Sequence, residues 1–173
     1  MSKHASAPQA LRIYLSDHRA AATAECALAA RFAKSNRGSP FEDAARQLSD
    51  DLAEDAAALD RVIDHLGVTV NPARRVAAAL GERVGRLKLN GQLRGYSPLS
   101  RLVEIEALLA AVAVKRALWA TLRKVAGSID LGGVDLQAMA TRADEQRTRL
   151  TDLHREASAG LFSEAASRTP APG

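Results

Sequence analysis

Apolar side chains recur at steps of three and four residues through four long stretches of the chain, and each stretch predicts an amphipathic helix. In residues 8–34 the stripe is Leu11, Tyr14, Leu15, Ala22, Leu28, Ala29 and Phe32. His18 and Glu25 fall in register with it, so two polar groups stand where a core should be. Asn36, Gly38 and Pro40 end the pattern. A second helix is expected after Ser39, with Pro40 at its first position and Glu42 and Asp43 in its first turn, favourable to the helix dipole. Its stripe is Phe41, Ala45, Leu48, Leu52, Leu59, Val62, Ile63 and Leu66, with Asp55 on or beside it, and Gly67 as the stop.

A long connection follows. Asn71 and Pro72 can open a shorter helix reaching about Leu89, with Val76, Leu80, Val84 and Leu87 on one face and arginines on the other. Asn90, Gly91 and Gly95 break it. The third long helix is expected over residues 98–125, on Leu102, Ile105, Leu109, Val112, Leu118, Trp119 and Leu122. Its alanine-rich middle reads as apolar nearly all round, which predicts the most buried helix. The fourth is expected over residues 134–162, on Leu136, Met139, Ala143, Leu150, Leu153, Ala157 and Leu161.

Helices of this size are each about 40 Å long. Short loops within each pair imply antiparallel neighbours, and the long link between the pairs is the connectivity of a ferritin-like bundle. The expected fold class is therefore all-α: a ferritin-like four-helix bundle with a long basic crossover containing a short extra helix. A small-residue-rich helical bundle of another topology is the alternative. The organisation expected is a flexible N-terminus over residues 1–8, one helical-bundle domain over 9–162, and a disordered tail over 163–173.

Composition narrows the picture. A chain of 173 residues can bury a sizeable core without staples. Alanine, the best helix former, dominates, and aromatic residues are scarce. Cys26 is the only cysteine, which suits a reducing cytoplasm. The first ten residues carry no apolar core of a secretory signal, and the longest apolar run, residues 107–114, is far short of a membrane span. A soluble cytoplasmic protein is expected. The net charge of +4 is unevenly placed: between residues 72 and 101, Arg74, Arg75, Arg83, Arg86, Lys88, Arg94 and Arg101 face the single acid Glu82. Arg74, Arg75, Arg83, Arg86 and Lys88 are candidates for binding anions, either nucleic-acid phosphates or a membrane surface. A solvated outer face, balanced by Asp50, Asp51, Glu54 and Asp55, is the favoured reading of the same residues.

No catalytic motif is present. A di-metal bundle site needs an inward Glu from two helices and Glu-x-x-His from the other two. Leu15, Val62 and Thr151 stand three residues before His18, His65 and His154, so that inventory is missing. The expectation is no metal and no cofactor; if a metal were held, Glu25, His18, Asp55 and Glu106 would be the ligand candidates, with Glu104 as an alternative and Gln146 and Glu145 on the fourth helix. The favoured reading pairs these carboxylates with His18, Arg116 or Arg147, and expects Glu25 to meet Arg116 or a residue near Gln146, with His18 bonded to a carboxylate or carbonyl. Cys26 reads as a small buried hydrophobe.

The segments Tyr14-Leu15-Ser16-Asp17-His18, Leu87-Lys88-Leu89 and Lys115-Arg116-Ala117-Leu118-Trp119 together resemble an uncharacterised bacterial family of ferritin-like four-helix-bundle proteins. The resemblance spans about residues 9–162. It implies a bundle with a polar cluster on the first helix, here Asp17 and His18, and carries no enzyme activity across. The functional expectation is a non-catalytic structural or interaction module, with a protein partner or a second copy of the chain as its partner. The alternatives are an unconventional metal-binding or oxidoreductase bundle, and a polyanion binder acting through the basic segment.

Overall fold

A computed structural model describes residues 7–69 and 96–167, with side chains described as far as residue 161. Four helices make up the described fold: α1 (Gln9–Ser35), α2 (Glu42–His65), α3 (Pro98–Val125) and α4 (Leu136–Ser167). The sequence signals for α3 are used directly. Ser97 is the N-cap, its hydroxyl accepting from the Ser100 amide at 3.1 Å, and Pro98 takes a first-turn position where no intrahelical donor is needed. Asp135 caps α4 in the same way, accepting from the Ala138 amide at 2.9 Å.

Two boundaries differ from expectation. α2 opens at Glu42 and not at Pro40, because residues 36–41 form a tight turn. Gly38 enters it with a φ of 72°, the Ser39 hydroxyl donates to the Asn36 carbonyl at 2.7 Å, and the Gly38 amide donates to Glu42 Oε2 at 2.7 Å. α4 continues past Phe162 to Ser167, since the alanine-rich stretch beyond Phe162 propagates the helix through what composition alone marked as tail. The short helix expected over residues 72–89 lies outside the described residues.

The buried apolar side chains form two clusters, and each draws on all four helices. One joins Leu11 and Leu15 of α1, Leu59 and Val62 of α2, Leu118, Trp119 and Leu122 of α3, and Leu136, Met139 and Ala143 of α4. The other joins Leu28 and Phe32, Leu48 and Leu52, Ile105 and Val112, and Leu150 and Leu153. The start of α1 therefore lies beside the end of α2, the end of α3 and the start of α4. α2 and α3 run parallel to each other and antiparallel to α1 and α4, so α3 begins at the opposite end of the bundle from where α2 stops. This is an up-down-down-up bundle. Among the described residues no helix is long and apolar enough to cross a membrane.

α3 is not the uniformly buried helix that its alanines suggested. Ala110, Ala113, Ala117 and Ala120 are exposed, and Val114 is 48% exposed. Its buried stripe runs through Leu108 and Val112, with Leu109 only half-buried. Alanine favours the helix wherever it stands, so a run of it reports helicity and not burial.

Two ends of the bundle are tied by polar contacts. At one, Glu104 of α3 accepts from Tyr96 at 2.8 Å and pairs with Arg31 of α1 at 2.6 Å. Asn36, the C-cap of α1, donates to the Tyr96 hydroxyl at 2.9 Å and accepts from Arg101 Nε at 2.6 Å, while the Arg101 guanidinium lies 4.5 Å from the centre of the Phe41 ring. Burial and the Glu104 carboxylate push the Tyr96 hydroxyl well above its usual pKa, so it remains a donor. At the other end Gly132 (φ 78°) packs so closely on His65 that an added Cβ would stand 2.8 Å from the His65 side chain.

Candidate functional site

Between the two apolar clusters lies a polar layer with one residue from each helix: Glu25, Asp55, Lys115 and Gln146. The helical periodicity of each stripe aims these four positions inward, each falling between the last residue of one cluster and the first of the other. All four are deeply buried, from 0% exposure for Gln146 to 6% for Lys115. The Lys115 ammonium stands between the two carboxylates, donating to Asp55 Oδ2 at 2.8 Å and lying 3.4 Å from Glu25 Oε1. Gln146 Nε2 donates to the same Asp55 oxygen at 2.8 Å. Arg142, from one turn earlier in α4, reaches Asp55 Oδ1 at 3.3 Å while holding Glu54 Oε2 at 2.9 Å and the Asp51 carbonyl at 3.1 Å. Arg149 also pairs with Asp51, so α2 and α4 are bridged by arginines.

Two acids face two bases here, which balances the charge of the layer. Burial raises the pKa of Glu25 above the ordinary carboxylate value; Lys115 opposes that rise and Asp55 adds to it. Cys26, beside Glu25 in sequence, donates to the Leu52 carbonyl at 3.4 Å. Burial and the Glu25 charge push its thiol upward, away from the thiolate a nucleophile needs.

A cavity of ≈370 Å³ adjoins the layer. Its floor is Glu25, Asp55 and Lys115, and its walls are Ala21, Ala22, Leu59, Ala111, Leu118 and Trp119. The lining residues that reach solvent, Asp17 on α1 and Ala110 and Val114 on α3, put its mouth between those two helices. His18 stands in the same lining, its ring 4.3 Å from that of Tyr14. Burial lowers the His18 pKa more than the neighbouring Asp17 raises it, so the imidazole is neutral at neutral pH.

The residues singled out from sequence separate into three groups. Glu25 and Asp55 meet in the layer, with Gln146, and His18 lies at the cavity. Glu106 does not join them. It points outward and lies 3.2 Å from His154 Nε2, because it is one position, or 100°, past the inward Ile105. Glu104 belongs to the cluster at the end of the bundle. Arg74, Arg75, Arg83, Arg86 and Lys88 lie outside the described residues. Glu25 is expected to meet a basic or hydrogen-bonding group of another helix, Arg116 or a residue near Gln146; it does meet a basic group of another helix, but that group is Lys115, while Arg116 pairs on the outside with Asp144 at 2.5 Å. His18 rests on Tyr14 and makes no hydrogen bond with the described residues, contrary to expectation. Lys115 could have been found from its register, three residues after Val112 and before Leu118, with Arg116 falling off that stripe.

The layer holds two carboxylates at bridging distance from one cation, and that cation is an amine of the chain itself. Among the described residues no group of three or more His, Cys, Asp or Glu side chains is placed to hold a metal ion. The chain matches no family model, no curated protein and no solved structure.

Proposed function

We propose that the chain is a non-catalytic helical bundle with ferritin-like connectivity, of bacterial type, acting in the cytoplasm as a structural or interaction module. The observation that carries this reading is Lys115 between Glu25 and Asp55. In a bundle of this connectivity, inward carboxylates at mid-height are the groups that would bridge a metal pair. Here an ammonium fills the space between them, and a metal cation would have to displace it against like-charge repulsion. The remaining side chains around the layer are Gln146, an amide, and Arg142, a second cation. Neither supplies a ligand that favours iron, manganese or zinc. The layer instead aligns the helices: a buried charge finds its partner in one alignment only.

Elemental analysis of protein purified without chelator tests this. Far less than one equivalent of iron, manganese or zinc per chain is expected. Stoichiometric metal, lost when Glu25 or Asp55 is replaced by Ala, would overturn it.

A further inference from the structure

The groove between α1 and α3 opens on an apolar face, and what occupies that face goes beyond this reading. We infer that it is the docking surface for residues 72–89 of the same chain, seated on it through Val76, Leu80, Val84 and Leu87. Ile13, Leu99 and Val114 are the large hydrophobic side chains left exposed among the described residues, and all three stand on α1 or α3. Ala21 and Ala22 of α1 and Ala110, Ala111 and Val114 of α3 line the groove. Val103 and Ala107, both half-buried, continue the line of Ala110 and Val114 towards the start of α3 at steps of three and four. Small side chains on both walls let a third helix approach closely.

The chain leaves α2 and returns to α3 on this side of the bundle. Thr69, the last described residue after α2, adjoins Gln9, Arg12, Ile13, Ser16 and Asp17 on the outer side of α1. Tyr96, the first described residue before α3, bonds Asn36 at the far end of α1 and Glu104, which holds Arg31 of α1. Residues 70–95 therefore start beside one end of α1 and finish beside the other. From Asp17 to Asn36 the helix rises about 28 Å, and a helix over residues 72–89 is about 27 Å long.

The apolar lines match as well. Val76 to Leu87 and Val103 to Val114 each extend about 16 Å along a helix. The segment travels towards the start of α3, so it runs antiparallel to that helix. Val76 and Leu80 are then set towards Val114, and Leu87 towards Val103. Laid this way, the segment buries the exposed side chains of the groove and its own apolar line together, while Arg74, Arg75 and Arg86 stay in water on its other face.

Trypsin reads the docking, because the segment carries cleavage sites at Arg74, Arg75, Arg83, Arg86 and Lys88. In the full-length protein Val114→Asp should speed cleavage there at least about tenfold, while the emission of the buried Trp119 shows the four helices still folded. Leu80→Asp, made outside the four helices, should speed it as much, and Ala53→Asp, exposed on α2, should leave the rate unchanged. In a Cys26→Ser protein, Leu80→Cys with Val114→Cys, or Leu87→Cys with Val103→Cys, should close a disulfide within one chain on mild oxidation. Three results would each overturn the inference: cleavage as fast in the wild type as in Val114→Asp, neither cysteine pair closing, or disulfides forming between chains, which would make a second copy the occupant. None of these depends on the metal content that tests the proposed function.

Discussion

Replacing Lys115 by Met keeps most of the side chain's volume, one atom shorter, and removes its charge, leaving Glu25 and Asp55 facing each other without the cation between them. At an effective dielectric of about 20, a contact of 2.8 Å is worth about 6 kcal/mol of attraction before desolvation is charged against it. Removing one partner of a buried pair typically costs about 3–5 kcal/mol, because the other charge stays buried and unpaired. For a chain of this size each kcal/mol shifts Tm by roughly 2–4 °C, so a fall of about 6–20 °C is expected at pH 7. The pH dependence carries the sharper test. Lys115 holds the pKa of Glu25 down against burial, and without it the folded-state pKa rises further above the unfolded value. A raised carboxylate contributes stability below its unfolded pKa and loses it as pH rises through the folded pKa. The deficit of Lys115→Met should therefore shrink between pH 7 and pH 5, followed by thermal melts in circular dichroism. Adding Glu25→Gln to the Lys115→Met protein removes one of the facing charges and should recover part of the loss. A deficit equal at both pH values, or a Tm within a degree or two of wild type, would show that the carboxylates are not held together as described.

Trp119→Ala should cost about 3–5 kcal/mol, measured by urea denaturation, because the ring has no exposure and its cluster cannot collapse fully around the void. Glu25→Gln mimics the protonated acid that burial favours, so it should match or exceed wild-type stability at pH 7 and lose that advantage as pH falls towards 4. A wild-type protein that gains on Glu25→Gln as pH rises would reverse the sign of that argument. Gly132→Ala should cost more than about 1 kcal/mol, since it forces an L side chain to a positive φ and against His65 at 2.8 Å; Gly133→Ala, with a φ of 68° and open space around it, separates the strain from the clash.

The four long helices and their faces were legible because both depend on short-range periodicity. The stripe of α1 correctly included Glu25 as an inward position, and that of α2 included Asp55. What the pattern could not give was the partner across the bundle. Adjacent residues on a helix differ by 100° in direction, so choosing Arg116 in place of Lys115, or counting Glu106, one position past the inward Ile105, among the inward acids, turns a contact outward. The alanine run misled for a different reason: propensity and burial are separate properties, and a methyl side chain reports the first alone. The cluster of Arg31, Asn36, Tyr96, Arg101 and Glu104 was not anticipated as a unit, since it joins residues far apart in sequence through the meeting of one helix's end with another's start. The cavity was equally invisible, being a property of how closely α1 and α3 approach.

Both apolar clusters take side chains from all four helices, and this makes the bundle a poor candidate for piecewise opening. Neither helical hairpin owns a core: releasing α3 and α4 together would strip half the lining from both clusters at once and expose Lys115 and the two acids in the same event. Amide hydrogens on either side of the polar layer should then exchange with a common free energy close to that of global unfolding, with slower exchange in the interior than at the helix ends. The clusters that create this unity gather residues about a hundred positions apart, Leu15 and Trp119 in one of them, so their assembly has to await long-range closure. The bundle should fold more slowly than a simple up-and-down arrangement of the same helices and, once formed, open as one unit.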